Sequence, residues 1–459
     1  MKIGFLPLYV KLYDDVVPQW RPRLERFYAE LTEMLRARGN EVVTSEFCRL
    51  ENEFSKTIKN FEDEQVDVII TYHLAYSPSL EVIDALCSTK LPIVVLDTTP
   101  TLEFTNMQDS GEIGYCHGIH GVMDMCSMLM RRGKKYAIAA GYYLDDVVDR
   151  ALGYAKAAVA AEALSHAKVA RVGGPFAGMG DFVVPFELMK ERFGIEAYDL
   201  DIETMLKYST SVVPEMVEAE RAENEKMFDF ADGVIKDEYD ATLRACVAMR
   251  NCLEGEGLTA FTATFLGMGL KECGLEVMPF LECCKAMSRG IGYAGEGDTL
   301  TAAFTGAILK AYPETTFCEI FCPDWKNDML FLSHMGEVNY AIADVKPTVE
   351  RVGTNYAPTD FPYVGYTRMK GGEGVFVNIC HTGKDFRLVL SECEMVDYDG
   401  DNFDGSMRGW MKTGKNTCGE FLEKLSMAGA THHSIFVYGA RACEIKYFAE
   451  LLGLETVEI

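Results

Sequence analysis

Short apolar runs alternate with longer segments of helical periodicity through the first two thirds of the chain. Residues 3–6, 66–71 and 93–96 are predominantly apolar, which is typical of buried β-strands. Residues 20–38 carry apolar side chains at helical spacing and are followed by Gly-Asn, a helix stop signal. Apolar strands separated by helices predict a parallel sheet covered by helices on both faces.

The pattern changes twice further along the chain. An alanine-rich helix is expected over 145–166, after which strands and helices alternate again. Beyond Pro313 the apolar runs are short and are broken by Gly, Pro, Asn and Asp, as in β-rich domains. We therefore predict two doubly wound α/β domains of the Rossmann or flavodoxin type, residues 1–165 and 166–312. A β-rich, barrel-like domain, residues 313–459, is expected to follow them.

Composition and charge restrict the partners of the protein. The chain has 459 residues and a formal net charge of −26, which repels phosphate backbones and anionic lipids. We therefore expect neither nucleic acid nor a membrane as a partner. No apolar run reaches the length that spans a bilayer, and the first residues lack the features of a signal peptide. A cytoplasmic protein with reduced cysteines is expected.

Candidate chemistry lies in the last third of the chain. It consists of two acids, Glu296 and Glu319, then His334, and then the adjacent pair His432 and His433. Two carboxylates and two imidazoles can hold a divalent cation and leave positions open for substrate oxygens. This set of ligands suits Mn²⁺, Co²⁺ or Mg²⁺ better than a thiolate-rich zinc site would.

Each of these residues also has an ordinary structural explanation. Glu296 could be a loop acid, and Asp298 could cap the helix that begins at Thr299. His334 could be a hydrogen-bonded core histidine. Glu319 is less easily explained, because an acid among apolar strand residues needs a buried partner. Spacing alone leaves the choice open.

The order and context of these residues resemble the L-arabinose isomerase family. The segments that carry the metal motifs are Gly292-Tyr-Ala-Gly-Glu-Gly-Asp298, Thr315-Thr-Phe-Cys-Glu319, Ser333-His-Met-Gly-Glu-Val338 and Ala428-Gly-Ala-Thr-His-His433. Upstream, Ala260-Phe-Thr-Ala-Thr-Phe265, Ile70-Thr-Tyr-His-Leu-Ala-Tyr-Ser-Pro78 and His120-Gly121 also fit. The similarity thus extends from the first third of the chain to its C-terminal end.

The resemblance implies a set of functional residues. Mn²⁺, or Co²⁺ or Mg²⁺ in its place, would be bound by Glu296, Glu319, His334 and His433, and the two glutamates would also act as the catalytic acid and base. Because successive strand residues point to opposite faces, only one of the two adjacent histidines is expected at the metal. The family uses the second of the pair.

The resemblance also implies contacts with the substrate. Phe265 and Thr262 match pocket positions, and Met179 is a further candidate for the pocket wall. His120 matches a histidine that reaches the site of a neighbouring subunit in the family's hexamers, so a homohexamer is expected. His117 is a further substrate-binding candidate and stands where the family has a glutamine.

Two other positions depart from the family: Thr299 replaces an aromatic residue and Ile320 replaces an acid. The sugar therefore need not be arabinose. The function predicted is an aldose–ketose isomerase that acts on an open-chain pentose, hexose or deoxysugar, by either an enediol or a hydride shift. The alternatives are an epimerase or lyase with the same metal site, suggested by the unfamiliar segment 351–374, and a non-catalytic sugar-binding protein.

Overall fold

A five-stranded parallel sheet forms the centre of the first of two units, residues 1–159, in the computed structural model, which describes residues 1–266, 268–354 and 359–459. The strand order is β2-β1-β3-β4-β5. The strands are β1 (Lys2–Leu8), β2 (Glu41–Thr44), β3 (Val68–His73), β4 (Ile93–Asp97) and β5 (Ala137–Ala140). Every residue of the central strand β3 is buried, because helices cover both faces of the sheet.

Helices connect these strands and bury their apolar stripes against the sheet. In α2, for example, Leu24, Phe27, Leu31 and Leu35 are buried at helical spacing. The helices are α1 (Lys11–Val16), α2 (Arg21–Ala37), α3 (Glu51–Asp63), α4 (Ile83–Ser88), α5 (Ile113–Cys116), α6 (Ile119–Arg131) and α7 (Val147–Ser165). The last of them continues into the second unit, residues 160–459.

The second unit begins with a four-stranded parallel sheet of order β10-β9-β6-β7. Its elements, with one short additional strand, are β6 (Lys168–Val172), α8 (Phe186–Phe193), β7 (Glu196–Asp199), α9 (Ile202–Thr210), α10 (Pro214–Met227), β8 (Asp229–Phe230), α11 (Lys236–Gly255), β9 (Ala260–Ala263), α12 (Met268–Glu272), α13 (Phe280–Ser288), β10 (Gly292–Gly295) and α14 (Thr299–Leu309). The chain leaves β6 towards β7 but leaves β9 towards β10 on the other side. The carboxyl ends of β6 and β9 therefore flank a topological switch point, where ligands bind in sheets of this kind.

A closed antiparallel barrel completes the second unit. Its six strands follow the order β15-β18-β11-β12-β17-β16, and pairing of β15 with β16 closes the ring. The remaining elements are β11 (Thr315–Asp324), β12 (Met329–Ser333), β13 (Thr348–Arg351), β14 (Tyr363–Tyr366), β15 (Gly372–His381), β16 (Phe386–Met395), β17 (Gly409–Lys412), α15 (Cys418–Met427), β18 (His433–Tyr438), α16 (Ala442–Leu451) and β19 (Glu455–Glu458). Strand β19 extends the sheet alongside β16, and β13 joins β14 and β8 in a separate three-stranded sheet.

The predicted fold class, parallel α/β sheets followed by a barrel-like β domain, is confirmed. The bounds of the three predicted domains stay predictions. Within the segment 351–374, on which the epimerase or lyase alternative rested, residues 355–358 lie outside the described residues. None of the helices in the described part of the chain combines the length and apolar character needed to span a bilayer.

Candidate metal centre

Glu296 lies directly after β10, in a turn that depends on the glycines on either side of it. Its own backbone has a φ of 64°, a strained value for a residue with a side chain. A Cβ atom on Gly295 would lie 2.6 Å from Cε1 of His334, and one on Gly297 would lie 2.5 Å from Cα of Pro175. The Gly-Glu-Gly sequence therefore permits close approach of the turn to its neighbours.

Three of the other candidate residues are brought together by the register of the barrel strands. In the antiparallel pair β11–β18, Glu319 stands directly opposite His433. In the pair β11–β12, the same glutamate stands opposite Ser333, which precedes His334. Directly opposed residues have their Cβ atoms about 5 Å apart. Glu319 on β11 therefore lies between β18, which carries His433, and β12, which His334 follows.

The four side chains predicted as metal ligands meet at this point. Oε2 of Glu296 lies 3.6 Å from Nε2 of His433, and Oε2 of Glu319 lies 3.9 Å from Nε2 of His334. The centroids of the two imidazole rings are 5.7 Å apart. Two carboxylates and two imidazoles therefore face one another from two sheets of the same unit.

Both of these imidazoles are held from behind by a buried carboxylate. Nδ1 of His433 donates to Oδ2 of Asp298 over 3.0 Å, and Nδ1 of His334 donates to Oε2 of Glu337 over 2.6 Å. Because an ionised carboxylate can only accept, each Nδ1 carries the hydrogen and each Nε2 is directed to the centre. Carboxylate–histidine pairs of this kind orient the ligands of many metal sites.

The donor set fits a divalent cation. Nε2 of His433 is buried and has no hydrogen-bond partner within the described residues. A buried nitrogen without a partner is costly unless something binds it, and an ion at the centre would do so. Burial raises the pKa of the Glu319 carboxyl, although the nearby imidazoles act in the opposite direction. Burial also opposes a charge on His334, but Glu337 outweighs it and raises the pKa of the imidazole.

His432 also faces the centre, which differs from the expectation based on strand alternation. Strand β18 begins only at His433, so His432 lies before the strand and alternation does not apply. Its Nε2 is 3.4 Å from Oε2 of Glu296, and its Nδ1 is 2.7 Å from Oδ2 of Asp181. Burial opposes the charge on His432, yet Asp181 and Glu296 together raise its pKa to about 10. Burial also opposes the charge on Asp181, but the hydrogen bonds from His432 lower its pKa to about 2.

Aromatic rings surround the imidazoles. Phe182 stacks on His433 with 5.2 Å between ring centroids, and Phe317 meets His334 and His433 edge-on at 4.8 and 5.0 Å. Their apolar faces exclude water from the back of the centre and strengthen the electrostatic interactions within it. Phe317 lies two residues before Glu319 on β11, whereas Phe182 comes from a separate segment of the chain, so the contacts of both rings with the imidazoles depend on the fold.

The predicted pocket residues of the second unit have different environments. The Thr262 hydroxyl accepts from the backbone N–H of Gly297 and donates to the carbonyl of Gly295, so it supports the turn that carries Glu296. Phe265 contacts Phe176 with 5.5 Å between ring centroids. Met179 is half-buried in the loop between β6 and α8. Contact of these residues with a sugar stays a prediction.

His117 lies between α5 and α6 of the first unit, and His120 is the second residue of α6. Nε2 of His117 is 2.9 Å from the hydroxyl oxygen of Tyr13, and the ring of His120 stacks on Tyr76 at 4.9 Å. The two imidazole centroids are 5.3 Å apart. They form a small aromatic cluster, and their part in substrate binding stays a prediction.

Comparison with known proteins finds L-arabinose isomerases of several bacteria. L-arabinose isomerase from Geobacillus thermodenitrificans is 25% identical over 429 residues, covering 86% of this chain and 81% of that protein. L-arabinose isomerase 1 from Bacillus licheniformis is 26% identical over 425 residues, with the same coverage. Among solved structures, a periplasmic solute-binding protein from Actinobacillus succinogenes with bound D-allose covers 68% of this chain and 91% of that chain. Its identity is 14% and its TM-score 0.18, too low to support any argument.

Two family models match adjacent parts of the chain. The model of the L-arabinose isomerase central domain matches residues 188–312, and that of the L-arabinose isomerase C-terminal domain matches residues 314–455. Together they cover more than half of the sequence and include all four residues predicted to bind a metal. The chain therefore belongs to the L-arabinose isomerase family of sugar isomerases, which are intramolecular oxidoreductases.

Proposed function

We propose that this protein is a metal-dependent aldose–ketose isomerase that acts on an open-chain pentose, hexose or deoxysugar. Glu296, Glu319, His334 and His433 would hold Mn²⁺, or Co²⁺ or Mg²⁺ in its place. The observation that carries the proposal is the convergence of two carboxylates with two imidazoles, each imidazole backed by its own carboxylate. Nε2 of His433 supports it further, because this atom is buried and has no hydrogen-bond partner among the residues that the structure describes.

Isomerisation moves a hydrogen between C1 and C2 of the sugar. When bound, the cation supplies positive charge that stabilises the negative charge developing on the sugar oxygens. Glu296 and Glu319 provide the carboxylates that can accept a proton from carbon or hydroxyl and return it to the neighbouring atom. Burial raises the pKa of the Glu319 carboxyl, which favours its protonated form. Either an enediol or a hydride shift is compatible with this arrangement.

The identity of the sugar is tested first with L-arabinose, because the relatives bear that sugar in their names. Three positions make other sugars reasonable candidates: Thr299, Ile320 and His117 differ from the residues that the family has there. These three residues lie next to motifs that otherwise resemble those of the family. We therefore expect the chemistry to be retained and the preferred sugar to vary. Phe265, Thr262 and Met179 are the proposed contacts of the second unit with the substrate.

We further propose a cytoplasmic homo-oligomer, a hexamer by analogy with the family, in which His120 contacts the site of a neighbouring subunit. Support comes from three exposed apolar side chains of helix α6. Ile119, Met123 and Met130 lie on one side of this helix with 42, 66 and 70% of their surfaces exposed. An apolar stripe of this kind on a helix is typical of an interaction surface.

The test is a direct assay of the purified full chain. After chelation and reloading with Mn²⁺, it is offered a panel of aldoses, beginning with L-arabinose, and ketose formation is followed by NMR. We expect turnover of at least one aldose, and loss of turnover on chelation. Products altered at carbons other than C1 and C2 would indicate the epimerase or lyase instead.

A pair of matched variants links the assay to the site. Glu319→Gln should abolish turnover, because the amide can neither carry the proton nor contribute charge to the cation. Glu423→Gln, on the exposed surface of α15, should leave turnover unchanged. Full activity of Glu319→Gln, or a metal-loaded chain inert towards every aldose, would contradict the proposal.

A further inference from the structure

Asn378 is a buried polar residue in an otherwise apolar stretch of β15. It follows Val375, Phe376 and Val377 and precedes Ile379, and all five residues are at most 1% exposed. A carboxamide that is cut off from water destabilises the fold unless its donor and acceptor groups are paired. The partners of this side chain therefore show what the asparagine contributes.

The side chain of Asn378 binds the backbone on both sides of His432. Its Nδ2 donates to the carbonyl of Thr431 over 2.8 Å and to the carbonyl of His433 over 2.6 Å. Its Oδ1 accepts from the backbone N–H of Thr431 over 3.1 Å. Nδ2 also lies 3.1 Å from the hydroxyl oxygen of Thr431 and 3.0 Å from that of Ser434. One amide thus holds the backbone that leads into β18.

These hydrogen bonds lie where β15 and β18 separate. The register of the two strands ends with the pair of Val377 and Ile435, and Asn378 is the next residue of β15. Beyond that point β15 remains paired with β16, and β18 remains paired with β11 as far as His433. The side chain of Asn378 therefore takes the place of the backbone hydrogen bonds that a continued ladder would provide.

The departure of the chain from strand geometry allows two adjacent histidines to face the same group. In a regular strand, successive side chains point to opposite faces. Here Nε2 of His432 and Nε2 of His433 lie 3.4 and 3.6 Å from one oxygen, Oε2 of Glu296. Backbone groups that turn away from a ladder need other partners when they are buried. Asn378 supplies these partners.

Other residues hold the imidazole rings themselves. Nδ1 of His432 is bound to Asp181, and Nδ1 of His433 is bound to Asp298. Each of these hydrogen bonds orients one ring about its own side-chain bonds, whereas the backbone decides where both rings are placed. Loss of the Asn378 hydrogen bonds should therefore move the two rings together, which loss of either aspartate would not do.

We infer that Asn378 positions His432 and His433, because it holds the backbone that presents both imidazoles to Glu296. This inference rests on the proposed function of the same site. Asn378 acts through the backbone of the two histidines and not through contact with the sugar or the cation. It is therefore a positioning residue.

The test compares two buried asparagines of the same unit. Asn378→Leu replaces the amide by an apolar side chain of similar branched shape, and Asn378→Ser keeps one hydroxyl as donor and acceptor. Asn224→Leu is the matched control. Asn224 lies on α10 and is also 0% exposed, and its amide donates to the hydroxyl of Tyr239 and accepts from Nζ of Lys285. Its loss should lower stability without moving the two histidines.

Three quantities are measured on each full-length protein. Thermal unfolding reports the stability, and titration calorimetry gives the affinity for Mn²⁺. The ring ¹⁵N resonances of the eight histidines are recorded on the metal-free protein and assigned with single His→Gln variants. These resonances report the surroundings of each imidazole, which a general loss of stability leaves unchanged in the folded protein.

We expect Asn378→Leu to shift the ring resonances of both His432 and His433. It should also weaken Mn²⁺ binding roughly tenfold to a hundredfold, the range found when a group that supports metal ligands is removed. Asn378→Ser should show the same changes to a smaller extent, because one donor remains. Asn224→Leu should lower the unfolding temperature and leave the Mn²⁺ affinity and these resonances at their wild-type values.

Four results would overturn the inference. Wild-type resonances of both histidines in the two Asn378 variants would show that the rings do not depend on the amide. An equal shift in Asn224→Leu would show that the effect follows from lost stability. A shift confined to one of the two rings would contradict their common positioning. Failure of both Asn378 variants to fold, while Asn224→Leu folds, would make Asn378 a residue of the barrel core alone.

Failure of the proposed function gives a different result from failure of this inference. A wild-type chain that binds no Mn²⁺ and converts no aldose would contradict the proposed function. The resonances of the metal-free chain would still decide whether Asn378 positions His432 and His433. Conversely, unchanged resonances in the Asn378 variants of a chain that binds Mn²⁺ and converts an aldose would contradict this inference alone.

Discussion

His433 stands directly opposite Glu319 in the antiparallel pair of β18 and β11, and this one cross-strand relationship joins the last motif of the chain to an earlier one. The two residues are 114 positions apart in sequence (433 − 319). Strand register sets their distance, because a slip of one residue would turn either side chain to the opposite face of the sheet. The barrel is therefore what makes a glutamate and a histidine from distant motifs neighbours.

Asp298 has two functions that substitution by asparagine should separate. It caps α14 by accepting from the backbone N–H of Thr301, and it accepts from Nδ1 of His433. Asparagine caps helices as well as aspartate does, but it does not carry the charge that orients the imidazole. We expect Asp298→Asn to weaken Mn²⁺ binding by roughly tenfold to a hundredfold, with little change in thermal stability.

The control for this prediction is Asp201→Asn. Asp201 caps α9 in the same way, by accepting from the backbone N–H of Thr204. Its substitution should leave Mn²⁺ affinity, measured by titration calorimetry, at the wild-type value. Equal Mn²⁺ affinity in Asp298→Asn and the wild type would show that the carboxylate behind His433 has no influence on the metal.

Gly295→Ala tests the close approach of β10 to the imidazole of His334. The added Cβ would lie 2.6 Å from the Cε1 atom of that ring, well inside van der Waals contact. We expect the ring to be displaced and Mn²⁺ affinity to fall by roughly tenfold or more. Gly400→Ala is the matched control, since a Cβ there would have no neighbour within 4 Å in the part of the chain that the structure describes. Wild-type affinity in Gly295→Ala would mean that His334 does not bind the ion.

His73 should make the stability of the protein depend on pH. Burial lowers the pKa of this imidazole to about 3, with Asp124 acting to raise it and His120 to lower it. The folded chain keeps His73 neutral, whereas the unfolded chain takes up a proton below a pKa of about 6.5. The contribution of the neutral His73 to the free energy of unfolding is therefore present above about pH 6.5 and is lost as the pH falls towards 3.

Between pH 7 and pH 5 this loss amounts to about 2 kcal/mol. Urea unfolding of the wild type and of His73→Gln at these two pH values measures it, because glutamine is neutral at both. The variant should lose about 2 kcal/mol less than the wild type on acidification. His166→Gln, at an exposed histidine, should follow the wild type. Identical pH dependence of His73→Gln and the wild type would contradict a neutral, buried His73.

Met123→Asp tests the proposed oligomer. Met123 lies at the centre of the exposed apolar stripe of α6, and a carboxylate there would be buried in any interface that this stripe forms. We expect the variant to sediment as a smaller species than the wild type. Leu144→Asp, at another exposed apolar residue of the first unit, should leave the assembly intact. A wild-type chain that sediments as a monomer would contradict the oligomer itself.

The sequence predicts the fold class well because the parallel sheets leave a clear pattern. Strand β3 is buried along its whole length and α2 buries most of its apolar stripe, so both stand out as hydrophobic patterns in the sequence. Glu319 and His334 could be found because their motifs resemble those of a known family. Spacing alone could not distinguish these residues from ordinary loop acids and core histidines.

The partners of the histidines were harder to find. Glu337 follows His334 by three residues, a local signal that was available in the sequence. Asp181 is 251 residues from His432, and only the folded loop between β6 and α8 brings them together. The alternation rule does not describe the orientation of His432, because it assumes that both members of the pair lie in the strand, whereas β18 begins at the second. That only one of the two histidines binds the ion stays a prediction.

In the proposed metal centre, four side chains from two sheets hold one divalent ion. Crystals of the full chain grown with Mn²⁺, with data collected at an energy where manganese scatters anomalously, test it directly. We predict one strong anomalous peak within bonding distance of Glu296, Glu319, His334 and His433. A peak elsewhere, or no peak between these residues in crystals shown to contain manganese, would contradict the claim.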